Sequence, residues 1–481
     1  MKKYNIYFIL AVIFLFTGCK KYLEQVPDQR TKLNTPGKVS ELLVTAYPRA
    51  NLFLWSESMS DNVIDNSISG AVNNINIGGY FWKDPEDISQ DSPNYYWGAC
   101  YTAIAAANQA LDACNKAPNP EAYSAQKGEA LVARAYAHFM LVTYYSKAYD
   151  PATSANDPGI PYVTEPETVV LKNYERKTVA YVYEQIEKDL TEGLPLIVDN
   201  YTAPAYHFTK KAAHAFATRF YLNKREYDKV ISEATETFPS NEFASNVRPW
   251  FAYASLDATE TRIQFTAATN PGNLLLGETV SRIANNYYNT RYSMPQVKLN
   301  NLTAPLGVNF SALRKYSTSS TFYFVNKFYA HFVRTTINAT TGTYYAMVPL
   351  LTTEEVLMNR AEANVMKGNY TAALADMNTL ISVRVNGYVP ATHDLTDKKI
   401  KDYYAATISD PQQAYLKAVL DLKAAEFVHE GMRWLDIKRL NIPVTHIDLD
   451  GTVRVLPAND PRRLCQLPPE VTLSGVELNP R

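Results

Sequence analysis

The sequence is short of most features that would place it quickly. It holds four cysteines in 481 residues. Cys100 and Cys114 fall in one predicted helix, 14 positions apart. At about 1.5 Å of rise per residue they lie roughly 21 Å from each other, beyond disulfide reach. Cys465 stands alone near the C-terminus, so no structural disulfide is expected. Neither sign of charge dominates: 47 basic against 48 acidic residues leaves a net charge of −1. That balance excludes a general nucleic-acid binder, which carries a basic excess. Beyond residue 16 no apolar run approaches the about 20 residues that span a bilayer.

Catalytic signatures are also missing. There is no G-x-S-x-G, no P-loop and no G-x-G-x-x-G. His429-Glu430 opens an H-E-x-x-H pattern, but Arg433 holds its last place. His446, Asp448, Asp450 and Gly451 imitate the start of an EF-hand loop, yet Pro457 stands where a bidentate Glu is needed. No histidine pair has metal-ligand helical spacing. Paired glycosidase carboxylates come from distant loops, so spacing neither finds nor excludes them. No catalytic residue, metal or cofactor is assigned.

What is present is an ordinary globular composition, 46% hydrophobic and 20% charged. A chain of this length can bury a core without disulfides or metals. Aromatic content is 12%, with 35 Tyr. Such an excess serves either Tyr-rich helix packing or surfaces that bind by stacking and hydroxyl hydrogen bonds.

The N-terminus carries a compartment signal. Lys2 and Lys3 form a positive n-region, and residues 6–16 are an apolar run of signal-peptide length. Thr17 and Gly18 then precede Cys19, which fits a lipoprotein signal-peptidase site. The Cys19 thiol would take a diacylglyceryl group and become the mature first residue. Two or three acyl chains anchor stably, where one would bind only reversibly. Lys20 after the Cys, in place of Asp, argues against retention at the inner membrane. The expected organisation is a signal peptide at 1–18, a lipidated Cys and tether at 19–34, and one folded unit at 35–481.

Within that unit, 35–245 has helical periodicity. Val179, Val182, Tyr183 and Ile186 fall at i, i+3, i+4 and i+7, and Ala213, Phe216, Ala217 and Phe220 repeat the pattern. Residues 130–145 are apolar nearly all round and read as a buried helix. Residues 246–346 break the pattern: 17 of these 101 are aromatic, among Asn, Thr, Ser, Gly and Pro. They read as loops, short helices and a few strands, and a long irregular segment in a compact unit is usually functional. Helical periodicity returns over 347–440, where Leu420, Ala424, Phe427 and Val428 line one face. In 441–481, Ile447 and Leu449 before Asp450-Gly451, with Val453 and Val455 after, predict a hairpin with a two-residue turn. Two helix pairs look like degenerate tetratricopeptide repeats, since Gly368 to Ala373 and Arg225 to Val230 have the same offset. The fold class is therefore mainly α, a tetratricopeptide-like scaffold of about four helix pairs carrying an irregular insertion.

Read in order, these segments resemble the SusD/RagB family over nearly the whole mature chain. The resemblance rests on Tyr22-Leu23-Glu24, on Trp97, Tyr101 and Asn108, and on Gly128-Glu129-Ala130 with Arg134-Ala135-Tyr136. It continues through Gly159-Ile160-Pro161, Asp189-Leu190, Arg219 and Arg360-Ala361-Glu362-Ala363. Its most specific part is Glu426, Glu430-Gly431, Arg433-Trp434 and Asp436-Ile437-Lys438-Arg439. It implies a non-catalytic, nutrient-binding lipoprotein held by its lipid on the outer face of the outer membrane. The implied partners are a SusC-like TonB-dependent transporter, over which the chain acts as a lid, and a glycan or, less often, a peptide. The helical face would meet the transporter and the irregular part the ligand. A lipid-anchored glycan-processing enzyme and a purely structural repeat scaffold are the competing readings. The charged motif residues Arg134, Glu362, Glu430, Arg433 and Asp436 are expected to be paired and structural, because an unpaired buried charge is costly. Trp434 is expected in the core.

A glycan site needs exposed Trp or Tyr beside polar side chains on loops. Three stretches offer that mixture: Tyr80-Phe81-Trp82; Trp250 after Asn246 and Arg248; and 285–289 followed by Arg291-Tyr292. Trp82, Tyr287, Tyr288 and Tyr292 rank highest, since a polar–aromatic mixture is poor core material, with Tyr80 and Trp250 behind them. Local core packing is the competing reading for each. Trp55 is a further candidate whose apolar neighbours favour burial.

Overall fold

The structure is a computed structural model that describes residues 32–481 except 67, 170–171, 287–289, 311–316, 319–322 and 326. Cys19, the signal peptide, Tyr287 and Tyr288 lie outside the described residues.

Helices dominate. Among the described residues, those of eleven residues or more begin with α1 (Pro93–Lys116), α2 (Ser124–Tyr145), α3 (Val179–Gly193) and α4 (Lys210–Lys224). They are followed by α5 (Tyr227–Thr237), α6 (Thr353–Met366), α7 (Tyr370–Ser382) and α8 (Pro411–Glu426). Their starts are written locally. Ser92, Thr178, Thr209, Thr352 and Asp410 each cap the next helix by accepting a backbone N–H, and Pro follows the cap in α1 and α8.

α2 is buried continuously from Gly128 to Tyr145, and it packs against both α1 and α3. The approach to α3 requires glycine on both sides. A Cβ on Gly128 would lie 2.7 Å from the Leu196 side chain, and one on Gly193 would lie 3.0 Å from the Gly128 carbonyl oxygen. The pairs α4–α5 and α6–α7 follow, with α8 packed on α6. One connected apolar core runs from Val39 to Val476.

The insertion holds, among its described residues, the short helices and few strands expected of it. Strands β1 (Ile64–Asp65) and β3 (Tyr292–Ser293) pair antiparallel, as do β4 (Ser317–Thr318) and β5 (Tyr323–Phe324). β2 (Asn273–Val280), β6 (Ala330–Arg334) and β7 (Gly342–Thr352) form a sheet in the order β2-β7-β6. β7 runs through the expected boundary at 346 and stops at the cap of α6. It tolerates Pro349 because β6 pairs only as far as Ala330↔Ala346, and the β2 register slips beside it at Leu275/Leu276.

The C-terminal hairpin exists as β8 (Val444–Ile447) and β9 (Val453–Leu456). Its turn differs from expectation. Residues 448–452 form a five-residue loop, closed by Asp448 N–H donating to the Thr452 carbonyl at 2.9 Å, with Gly451 at φ 84°. The two-residue reading fails because Ile447 pairs with Val453, which leaves Leu449 in the loop.

Candidate ligand-binding site

The five charged motif residues expected to be paired all are, Arg433 with Asp61 among them. Arg134 donates to both Asp189 carboxylate oxygens, at 2.7 and 2.6 Å, and to Asn108 Oδ1 at 2.9 Å. Glu362 and Asp436 hold Arg439 and Lys423 in a buried set of two anions and two cations. Glu430 takes Lys327 at 2.6 Å. Nearby, Arg384 bridges Glu354 and Glu426, and Arg248 joins from the other side of Glu354. These clusters balance in sign, which is what lets them stay buried. Through Arg248 and Lys327 they join the insertion to α6, to Arg384 just after α7, and to the end of α8. Trp434 is 1% exposed and belongs to the core.

The described aromatic candidates do not form an exposed platform. Tyr80, Trp82, Tyr292 and Trp250 are all buried, and so is Trp55. Three of them are brought together in a pile of rings. Tyr292 stacks on Tyr80 at 4.1 Å, Tyr80 on His446 at 4.5 Å, and His446 on Trp82 at 4.4 Å. The polar edges are satisfied from afar. Tyr80 OH donates to Asp448 at 2.9 Å, and Trp82 Nε1 donates to the Met59 carbonyl at 3.0 Å. Trp82 takes a left-handed φ of 50° to fold back into this stack. Trp250 is elsewhere, tilted against Phe265 at 5.6 Å with Nε1 3.4 Å from Glu426.

The elements that carry this pile also frame a pocket of about 160 Å³. Helix Asn74–Tyr80 contributes Tyr80 from its end and Asn73, Asn74 and Ile75 from its start. Asn73 caps that helix by accepting from Asn76 N–H at 2.8 Å. Thr290, two residues before Tyr292, closes one wall, and Leu54 forms an apolar floor. Across from them the loop 87–91 brings Asp87, Gln90 and Asp91 against Arg282.

Two features of this pocket are unusual. Asp91 is 2% exposed and left-handed, with φ 71°. It accepts from the Ser281 hydroxyl and from Arg282 N–H at 2.9 Å, and burial pushes its carboxyl up to about 6. A buried acid with a raised pKa, lining a pocket, is a candidate functional group. Beside it, Gln90 Nε2 is buried without a hydrogen-bond partner among the described residues. A buried donor left unmade costs about 1–3 kcal/mol, which a ligand oxygen would recover. The volume is below the about 300–1,000 Å³ of pockets that enclose a whole ligand, and it suits one unit of a longer chain.

Sequence reasoning missed Asn73, Asn74, Asp87, Gln90, Asp91 and Arg282. It came near them through 285–292, because Thr290 lines this pocket. The available signal was the density of Asn and Asp in two loops, which by itself does not distinguish a site from solvated turns.

The chain belongs to the SusD family: the sequence model of that family matches residues 205–452. A second model, described as starch-binding associating with outer membrane, matches residues 21–222. No match was found among curated proteins. Solved structures share the fold at low identity. A SusD superfamily protein from Bacteroides fragilis is 20% identical with a TM-score of 0.68, over 92% of this chain and 99% of that one. A SusD-like carbohydrate binding protein from Bacteroides vulgatus is 16% identical with a TM-score of 0.66, over 92% and 96%. A laminarin binding SusD-like protein is 17% identical with a TM-score of 0.60, over 93% and 99%. No helix among the described residues is long and apolar enough to cross a membrane.

Proposed function

We propose that the protein is a non-catalytic glycan-binding lipoprotein, anchored through Cys19 on the outer face of the outer membrane. It captures nutrient and works as the lid of a SusC-like TonB-dependent transporter. Family membership supports the role, and the description of a relative as laminarin binding supports a glycan as cargo. The observation that carries the site is the unpartnered Gln90 Nε2 in a pocket walled by Asn73, Asn74, Asp87 and Arg282. These groups supply the donors and acceptors that sugar hydroxyls need. Tyr287 and Tyr288, three and two positions before Thr290, are the proposed aromatic faces. Trp82, Tyr80 and Tyr292 pack within the frame of this pocket.

The test is calorimetric titration of the protein with laminarin-type and other glycans of defined length, with the glycan sized before and after. Saturable binding with unchanged chain length is expected. Arg282→Ala and the Tyr287→Ala/Tyr288→Ala pair should each weaken it about tenfold or more. Shortened chains would replace this reading with a glycan-processing enzyme. Binding of peptides but no glycan would keep the capture role and change its cargo.

A further inference from the structure

A second cleft, of about 550 Å³, opens on a different part of the molecule. Its floor is one face of α8: Lys417, Asp421 and Ala424 fall at i, i+4 and i+7. Arg433, on helix Met432–Arg439, closes one end with Asp61. One wall is Lys298 and Asn301 of helix Gln296–Leu302, continued by Leu306. Tyr403 and Tyr404, from helix Asp397–Tyr404, also line the cleft. Residues from five separate segments converge here, and the volume lies in the range of pockets that enclose small ligands.

The charges in the cleft do not cancel. Asp421 is matched: it accepts from Lys417 and, at 2.7 Å, from Tyr404 OH. Asp61 is shared by two cations. Arg433 holds it with two hydrogen bonds of 2.9 Å, while Lys298 Nζ stays 3.5 Å away. With Asp61 and Asp421 against Lys298, Lys417 and Arg433, one positive charge is left over, and Lys298 is the loosely held cation. Its side chain is 23% exposed, so it can reach a ligand.

The cleft also offers a flat apolar face. Tyr403 is 54% exposed, and its ring is fixed edge-on to the buried Tyr404 at 5.0 Å. Leu306, which also lines the cleft, is held left-handed at φ 50°, followed by Gly307 at φ 74°. A branched aliphatic residue kept in that conformation costs about 1–3 kcal/mol and persists where the surroundings impose it, commonly at binding sites.

We propose that this cleft is a second ligand site, and that it takes an acidic sugar whose ring packs on Tyr403 and whose carboxylate pairs with Lys298. The carboxylate supplies the missing negative charge. The amide of Asn301, which is exposed at the rim, is placed for a sugar hydroxyl. This site is independent of the pocket at Asp91, so an acidic unit and a neutral one could be held by the same molecule.

The experiment titrates the full chain carrying Cys19→Ala with oligogalacturonate and with a neutral galactose oligomer of the same length. The acidic oligomer should bind and the neutral one should bind at least about tenfold more weakly, a preference that falls as salt is raised. Lys298→Gln should weaken the acidic oligomer about tenfold. Tyr403→Ala should do so about five- to tenfold. Both residues lie at the rim, and circular dichroism and the melting temperature should be unchanged. Arg282→Ala, in the other pocket, should leave this binding unaltered. Equal binding of the two oligomers, no binding of either, or binding lost in Arg282→Ala but retained in Lys298→Gln would each overturn the assignment.

Discussion

Arg225 ends α4 with φ 64°, in the left-handed conformation that Gly368 adopts with φ 76° at the corresponding end of α6. The two turns open two helix pairs, α4–α5 and α6–α7, with one local geometry. Arginine meets that requirement at a cost glycine avoids, since a side chain in this region costs about 1–2 kcal/mol. Its ion pair with Asp150 is more than a third exposed and returns little of it. Arg225→Gly is therefore expected to raise stability by about 0.5–1 kcal/mol, after the greater freedom of glycine in the unfolded chain is subtracted. A shift of the urea midpoint to higher concentration at constant slope checks this. A lower midpoint would mean that the Asp150 contact outweighs the strain.

Asp436 accepts from Lys423 at 2.8 Å and from Arg439 at 2.9 Å in a site with almost no solvent. Asp436→Ala leaves two cations to share Glu362. A loss of about 3–5 kcal/mol is expected, with ligand preference unchanged in whatever fraction stays folded. Thermal melts paired with titration separate the two effects. An unchanged melt with lost binding would move Asp436 from the scaffold to a site.

Asp91 has its folded pKa raised, to about 6, above the about 3.9 of an unfolded Asp. The folded state thus holds its proton more tightly. The resulting stabilisation is full below about pH 4 and is lost as pH rises through 6. Asn is the permanent mimic of the protonated form: its carbonyl can accept from Arg282 N–H, its amide can donate to the Ser281 hydroxyl, and it tolerates the left-handed backbone. Asp91→Asn should match the parent near pH 4 and exceed it by roughly 2–3 kcal/mol at pH 8. Melts across that range give the answer; a gap that is constant with pH would show that Asp91 is not titrating there.

Cys19→Ala should leave the protein folded and release it from membranes, because lipid is the only anchor proposed. Fractionation in cells lacking the partner transporter is the relevant measurement. Persistence of the variant in the outer-membrane fraction under that condition would remove the lipid-anchor reading.

The local parts of this molecule could be read from the chain. Val179, Val182, Tyr183 and Ile186 recur at helical spacing and are all buried in α3. Thr178, Ser92 and Asp410 announce helix starts through hydrogen bonds only three residues long. The β8–β9 hairpin was legible for the same reason, although its register was not: which residues face each other depends on what lies beneath the strands.

What the tertiary structure alone decided is which polar and aromatic groups meet. Tyr80, Tyr292 and His446 are more than 150 positions apart in sequence at each step, yet they stack in one pile. A mixed polar–aromatic stretch looks like surface as long as its hydrogen-bond partners are unknown. Asp448 and the Met59 carbonyl supply those partners from a distance, and so the rings can be buried. Asp91 and Lys298 are the converse case. Nothing in their neighbourhood in the sequence distinguishes them. Only the packing of distant segments left one without solvent and the other sharing a carboxylate that Arg433 already holds, since burial and charge balance are properties of the assembled fold.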